Sequence, residues 1–448
     1  MEVHVFRINS EVFDTVLDPA WDGPQTLILV FFASEFGLRP APLECLRAAF
    51  PWSYMLGCST AGEILGSSLE DHSIVVAVLR FAFTRLRVAY SDTVSGPAVS
   101  GLAGEALGRT LAGTNLKGVL VLSEGLNVNG SELVKGIHAA LPAQVKVIGA
   151  LAGDGESFQK TYVLMAAPGK PIQLLSRGAV AVGFRGEAIR FSCGYGGGWS
   201  RFGPKHRVTR SKGNVLFELD GQPALQLYKT YLGTLADNLP VSALFFPFAI
   251  LGEPDDGAEA LVRTVLATNE EDQSLTFAGD VHEGFTVQMM FYNQNRLVDG
   301  ATEAAKKLGK VSNGQALTLA VTCVGRRMVM GEQTEEELEA VMAVLPKGAL
   351  QVGLYSYGEL SPLSTGRSQL LNQSMTLAMI REDSHVLHPM LLRQLRDFDL
   401  RQDTAPDAES WSQFVEQVNR IYHEGDQDRD MLERVLRLNR SEMLDLVS

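Results

Sequence analysis

The stretch Thr26–Ala33, TLILVFFA, is an apolar run flanked by Gln25 and Ser34. A strand with one wet face alternates apolar and polar residues, so an unbroken run reads as a strand covered on both faces. Working outward, Leu43, Leu46 and Phe50 recur at helical spacing, and MLGCST (55–60) reads as a second strand that enters a glycine-bounded loop. SIVVAVLRFAF (73–83) reads as a third strand. A small-residue helix over 101–112 precedes the strand GVLVLSEG (118–125). A helix over 131–141, with Ser131 as its N-cap, then leads into VKVIGALAGDG (145–155), a strand that ends in a glycine-rich corner. Buried strands broken by helices predict an α/β layer fold.

From Gly178 the texture changes. GAVAVGF (178–184) and IRFSCGYGGGW (189–199) read as strands joined by short turns. NVLFELDGQPALQLYKTYL (214–232) reads as a strand, an Asp-Gly turn and a helix with Pro223 in its first turn. More strands follow, with helices expected over 299–308 and 334–344, so this half is mixed α+β. Past about residue 381 the chain turns polar and helical. Trp411, Phe414, Val415, Val418, Ile421 and Tyr422 recur at helical spacing after the linker DTAPDAES (403–410). Leu432, Leu436, Asn439, Met443 and Leu446 have the spacing of a short coiled-coil seam, through which the chain could pair as a homodimer. No internal repeat is evident.

Composition bounds the function. The chain has 448 residues, a net charge of -13 and 46% hydrophobic residues, as expected of a soluble globular protein of more than one domain. The negative balance argues against nucleic acid and anionic membrane surfaces as partners. No apolar run approaches the roughly 18 residues of a spanning helix, and MEVHVFRINSEV does not read as a signal peptide. Four dispersed cysteines without a C-x-x-C pair fit reduced thiols and a cytoplasmic location.

Each motif has a bland reading beside its sharp one. In GCSTAGE (57–63), Cys58 could be a nucleophile, but no base is evident near it and the G-x-S-x-G elbow is absent. The commoner role is a buried cysteine that ends a strand, followed by hydroxyls that satisfy loop amides. Gly198 and Gly203 have phosphate-loop spacing, yet Pro204 precedes Lys205 and His206 replaces the hydroxyl, so nucleotide hydrolysis is rejected. The eight histidines show no metal-ligand spacing, which leaves any metal ligand unassigned. A single axial histidine for haem needs no spacing signature. Asp154 and Glu359 stand at turns beside apolar strands, where they either orient a bound molecule or cap loop amides.

Taken in order, GCSTAGEI (57–64), ALAGDGESF (150–158), NVLFELDGQPALQLYKTYLG (214–233) and YSYGELSP (355–362) followed by LLNQSMTLAM (370–379) resemble the signatures of the FIST domain. The resemblance implies an N-terminal segment over 1–25, a FIST N-terminal domain over 26–220, a FIST C-terminal domain over 221–380 and a helical extension over 381–448. It implies two packed subdomains and a bacterial sensor that binds a small molecule such as an amino acid and regulates an output partner, a histidine kinase among them. A subset, the NosP-type nitric-oxide sensors, binds haem, which makes haem a candidate cofactor. Many members have a histidine where this chain has Leu371, so a haem ligand at that position is missing here. The expected ligand site is a hollow lined by Gly57, Cys58, Ser59, Thr60, Gly62, Glu63, Gly153, Asp154, Tyr357, Glu359 and Asn372, with no catalytic residue. An enzyme using Cys58 is the rival reading.

Overall fold

The computed structural model describes residues 1–8, 18–251, 260–309, 315–363, 366–383, 395, 400, 407 and 409–420. Met1–Ser384 form one compact unit, and His385–Ser448 a second.

The first segment of the large unit supplies β1 (Glu2–Ile8), β2 (Thr26–Ala33), α1 (Ala41–Ala49), β3 (Tyr54–Thr60), β4 (Glu63–Leu65), β5 (Ser68–Glu70), β6 (Ile74–Arg80) and β7 (Arg85–Ser91). The second supplies α2 (Pro97–Leu111), β8 (Leu116–Ser123), α3 (Gly130–Ala140), β9 (Lys146–Leu151), β10 (Val163–Ala166), β11 (Gln173–Leu175), β12 (Ala179–Arg185) and β13 (Ile189–Gly196). An insert follows, with β14 (Ser200–Lys212), β15 (Val215–Leu219), β16 (Gln222–Pro223), α4 (Ala224–Leu232), β17 (Phe248–Ile250), β18 (Leu261–Arg263), β19 (Val265–Asn269), β20 (Ser274–Phe277) and β21 (Thr286–Phe291). The last segment supplies α5 (Gln294–Lys306), β22 (Ala316–Cys323), α6 (Val324–Met330), α7 (Glu335–Val344), β23 (Ala349–Ser356), β24 (Gly358–Pro362), β25 (Ser368–Leu371) and β26 (Met375–Glu382).

The expected mixed α/β class is found, but the expectation of no internal repeat is corrected by the sheet order. Three six-stranded sheets run β1-β6-β2-β3-β10-β11, β7-β12-β8-β9-β24-β25 and β13-β26-β22-β23-β4-β5. In each, the third and fourth strands are parallel and all other neighbours antiparallel. The parallel pairs β2/β3, β8/β9 and β22/β23 each enclose helix in their connection, as a parallel crossover requires. After its parallel pair, each module sends a hairpin to the sheet of another module and keeps the next strand at home. The strand after that, β7 or β13, crosses to a neighbouring sheet, and β1 fills the corresponding edge of the first. The large unit is a three-fold pseudo-repeat with exchanged strands.

This arrangement explains the continuous apolar runs. Leu27, Leu29 and Phe31 of β2 meet Leu120 and Leu122 of β8 and Leu317, Leu319 and Val321 of β22 in one central core. The alternate residues face the helices: Ile28, Val30 and Phe32 pack with Leu43 and Leu46, and Val119 and Val121 with Leu107 and Leu133. Both faces of each strand are covered, so no polar alternation is written into it. The insert has its own core, with Leu216, Leu225, Tyr228, Phe248 and Phe277. The helix expected from Ser131 begins earlier, with Asn129 as N-cap accepting from Glu132 N. A helix covers 409–420, with the Trp411 and Phe414 rings stacked at 5.6 Å. The seam from Leu432 to Leu446 lies outside the described residues. Among those residues no helix is long and apolar enough to cross a membrane.

Candidate functional site

The repeat places one corner at the carboxyl end of each module's second parallel strand. Gly57, Gly149 and Gly353 hold the same register, opposite Val30, Val121 and Ala320. Five residues beyond Gly57 and Gly353 stand Gly62 and Gly358, each followed by a glutamate, Glu63 or Glu359. The second module is one residue shorter, with Gly153 followed by Asp154. The three corners expected to meet are these three equivalents.

They touch pairwise. Gly153 N donates to Ser59 O (3.0 Å), Gly155 N to Thr60 O (3.1 Å), and the Ser59 hydroxyl to Gly153 O (2.7 Å). Ala61 N donates to Tyr355 O and Tyr355 N to Gly62 O, both at 2.8 Å. Tyr357 N donates to Leu151 O (3.1 Å), and the Tyr357 hydroxyl to Asp154 Oδ1 and to Gly155 O. A Cβ on Gly153 would lie 2.8 Å from Ala61 N, so only glycine permits this approach.

The corners fill their own meeting point. Gly57, Cys58, Ser59, Thr60, Gly62, Glu63, Gly153, Asp154, Glu359 and Asn372 are buried, while Tyr357 is half-buried. Their polar atoms are largely spent on one another. Glu63 accepts from the Thr60 hydroxyl and from Ser73 N (3.2 Å) and Oγ (2.9 Å). Glu359 makes the equivalent contacts with Ser374 N (3.3 Å) and Oγ (2.7 Å), and the Ser356 hydroxyl reaches it at 3.5 Å. Burial pushes the Glu63 carboxyl up to about 7, against these hydrogen bonds, and the Glu359 carboxyl up to about 8. Burial also raises the Cys58 thiol well above the ordinary thiol range.

Asp154 plays a different part. Its carboxylate accepts from Phe158 N (2.9 Å), Gln159 N (2.8 Å) and Lys160 N (2.7 Å), which fixes the 155–160 loop. Phe158 has a left-handed backbone (φ 51°) and is 47% exposed, yet its ring stacks on Tyr357 at 4.6 Å. This pair forms the solvent-facing edge of the junction. Asn372 faces the insert, where its Oδ1 stands 3.5 Å from Arg263 Nη1.

Sequence reasoning missed the buried ion pair beneath the third corner. Arg326 donates to Glu337 Oε2 (2.9 Å from Nε), and the Tyr355 hydroxyl to Glu337 Oε1 (2.8 Å). Arg326 also donates to Leu297 O (3.0 Å) and Gly197 O (2.5 Å), so it ties the third module to the ends of the insert. The Arg326-Arg327 doublet directly after a buried strand was the available signal. Among the described residues no cluster of three or more His, Cys, Asp or Glu could hold a metal ion.

Comparison with known families matches residues 26–222 to the FIST N domain and 224–362 to the FIST C domain. A protein of Methanocaldococcus jannaschii, described as uncharacterized protein MJ1623, is 24% identical over 332 residues, which are 66% of this chain and 59% of that protein. The chain thus spans about three-fifths of that relative's length. Among solved structures, PurLQS from Thermotoga maritima is matched at 11% identity over 83% of this chain and 67% of that chain, with a TM-score of 0.16.

Proposed function

Because this chain belongs to the FIST family, whose domains are associated with sensing in signal transduction, we propose that it binds a small molecule at the Phe158/Tyr357 edge beside its filled three-corner junction and passes that occupancy to an output partner. The observation that carries this reading is the pairwise contact of the 57–63, 153–155 and 355–359 corners at the carboxyl ends of parallel strands. In α/β sheets that end is the common position for ligands. The ligand class is amino-acid-like, and it docks at the edge formed by Phe158 and Tyr357, where the Phe158 ring is 47% exposed. Asp154 then links the two: a ligand that takes the Tyr357 hydroxyl competes with its bonds to Asp154 and Gly155, at the start of the 155–160 loop that Asp154 holds through three amides.

Occupancy favours one arrangement of that loop only by the ligand's difference in affinity for the two arrangements, and a coupling of about 1–3 kcal/mol is ordinary. A histidine kinase is the expected kind of output partner, engaged through the segment past residue 381. The test is calorimetry of the full chain against an amino-acid and metabolite panel, repeated with Phe158→Ala. Saturable binding that weakens in the variant supports the reading, and flat titrations throughout refute it.

Haem binding with nitric-oxide sensing is the second reading, and it rests on the family's haem-binding subset. It predicts a Soret shift at stoichiometric haem. Catalysis by Cys58 is the third, and the complete burial of that thiol counts against it.

A further inference from the structure

The signature NVLFELDGQPALQLYKTYLG folds into β15, β16 and α4 of the insert and takes no part in the corner junction. Its Asp220-Gly221 pair is the two-residue loop of the β15/β16 hairpin, with positive φ at both positions (52° and 76°), as a type I′ turn requires. The turn aims Asp220 back at β14. Asp220 N donates to Arg207 O (2.9 Å), and Asp220 Oδ1 accepts from Arg207 N (2.8 Å), so the carboxylate is pinned. Its Oδ2 stands 2.7 Å from Nδ1 of His206, and His206 Nε2 stands 3.0 Å from the hydroxyl of Tyr231 in the last turn of α4. The imidazole in the middle is only 11% exposed, whereas Tyr231 is 36% exposed and open to a reagent.

The proton positions follow from the partners. A carboxylate only accepts, so Nδ1 of His206 carries the hydrogen, and the neutral ring presents the Nε2 lone pair to the phenol, whose O–H donates to it. A nucleophile, its base and a group that orients the base thus stand in one line, with a phenol in the place of the usual hydroxyl or thiol. Among the described residues no other side-chain hydroxyl or thiol reaches a histidine. The charge around the line selects the electrophile. Asp220 is half exposed, and among the described residues no Lys or Arg side chain bonds to any of the three groups. That field opposes an anionic phosphoryl centre and suits an uncharged carbonyl carbon.

We propose that Tyr231 is a covalent modification site that takes an acyl group from an activated ester, thioester or acyl phosphate, with His206 as its base and Asp220 as the positioning residue. The phenol oxygen bonds to the carbonyl carbon as its proton passes to His206 Nε2. The bond from that carbon to the leaving oxygen or sulfur then breaks, and the leaving group departs with the proton. The products are an O-acyl tyrosine and a neutral imidazole. This site goes beyond the small-molecule reading above, because it uses neither Phe158 nor the three corners.

The test treats the full chain with p-nitrophenyl acetate and, separately, with acetyl phosphate, whose carbonyl carbon and phosphorus compete for one nucleophile. Peptide mass spectrometry places the adducts and tells acetyl from phosphoryl. A positioned base contributes roughly 10²–10⁴ in closed sites, so at this open one Tyr231 should acetylate at least about tenfold faster than Tyr90. Tyr90, 47% exposed, is at least as accessible. The rate should rise with pH as His206 loses its proton. Asp220→Asn is the decisive variant. Asparagine accepts the positive φ and suits the turn, so the fold is kept. Arg207 N holds the amide oxygen, which leaves the amide N–H to donate to His206 Nδ1 and moves the ring proton to Nε2. Acetylation of Tyr231 should then fall roughly tenfold or more with an unchanged thermal midpoint, and His206→Gln should bring it to the rate of Tyr90. Acetylation of Tyr231 no faster than that of Tyr90, a rate unmoved by Asp220→Asn, or a phosphoryl adduct on Tyr231 in place of the acetyl one overturns the proposal.

Discussion

Replacing the register glycine in each module by alanine tests the pseudo-repeat directly. A Cβ on Gly353 would sit 1.8 Å from Ala320 O, one on Gly149 1.9 Å from Val121 O, and one on Gly57 2.2 Å from Val30 O. Real Cβ atoms essentially never come nearer than 3.0 Å to another heavy atom, so in the third module the strands must part by about an ångström. The obstacle is backbone in the middle of a sheet covered on both sides, which cannot rotate away as a side chain would. Overpacking of a tight core costs typically 1–3 kcal/mol, and this geometry puts Gly353→Ala at the upper end, about 3 kcal/mol. At about 2 °C per kcal/mol for a unit of this size, the thermal midpoint should drop by roughly 6 °C. Gly149→Ala should behave alike and Gly57→Ala somewhat more mildly. Gly23→Ala, where a Cβ meets nothing within 4 Å, is the control. Denaturant midpoints read the loss, and amide exchange should localise it to the parallel pair concerned. If all three substitutions stay within about 0.5 kcal/mol of the parent, the equivalence of the positions does not have the steric basis argued here.

Other expectations follow from the same geometry. Glu337→Gln leaves Arg326 buried without its counter-charge and should cost about 3–5 kcal/mol in a urea titration; a loss below 1 kcal/mol contradicts the assignment. Glu63 and Glu359 have folded pKa values of about 7 and about 8, above the ordinary 4.5, so the folded chain keeps protons that the unfolded chain has lost. Their burial therefore weakens the fold progressively as pH rises from about 4.5 to about 8, by about 3–5 kcal/mol for Glu359, and Glu359→Gln should flatten the melting profile across that window. A parent profile without such a decline refutes the buried-acid picture. Asp154→Ala frees three amides of the 155–160 loop and should raise proteolysis there, read by mass spectrometry of the cleavage products, while the melting midpoint of the core moves little.

The strands of the core were legible because burial on both faces leaves one unmistakable mark. TLILVFFA, SIVVAVLRFAF and GVLVLSEG contain β2, β6 and most of β8. The three corners were legible as glycine-flanked turns with an acid. Their equivalence was not, since the spacing shared by Gly57–Glu63 and Gly353–Glu359 loses one residue at Gly149–Asp154. Helices of different length and a long insert then disguise the period. The hairpin exchanges could not be read at all, because β4 pairs with β23 across nearly 300 residues and short polar strands such as SLE (68–70) leave no pattern. Nor could the chain reveal that the corner side chains satisfy one another. Seen as a sequence, Glu63 and Glu359 are acids at turns; only their burial beside Ser73 and Ser374 makes them neutral hydrogen-bonding groups.

The exchanged hairpins have a consequence for assembly. Each third of the core is sealed only by pieces lent from the others, so a module expressed alone would offer raw sheet edges on both sides. Three such fragments mixed together hold every strand that closure demands except the one supplied by β1. That last strand begins with the Met1 amino group 3.3 Å from Glu382, beside the end of β26. A core shortened to end at Asp383 and joined there to Met1 by a short linker could be reopened between β6 and β7 with every ladder kept, because those two strands belong to different sheets.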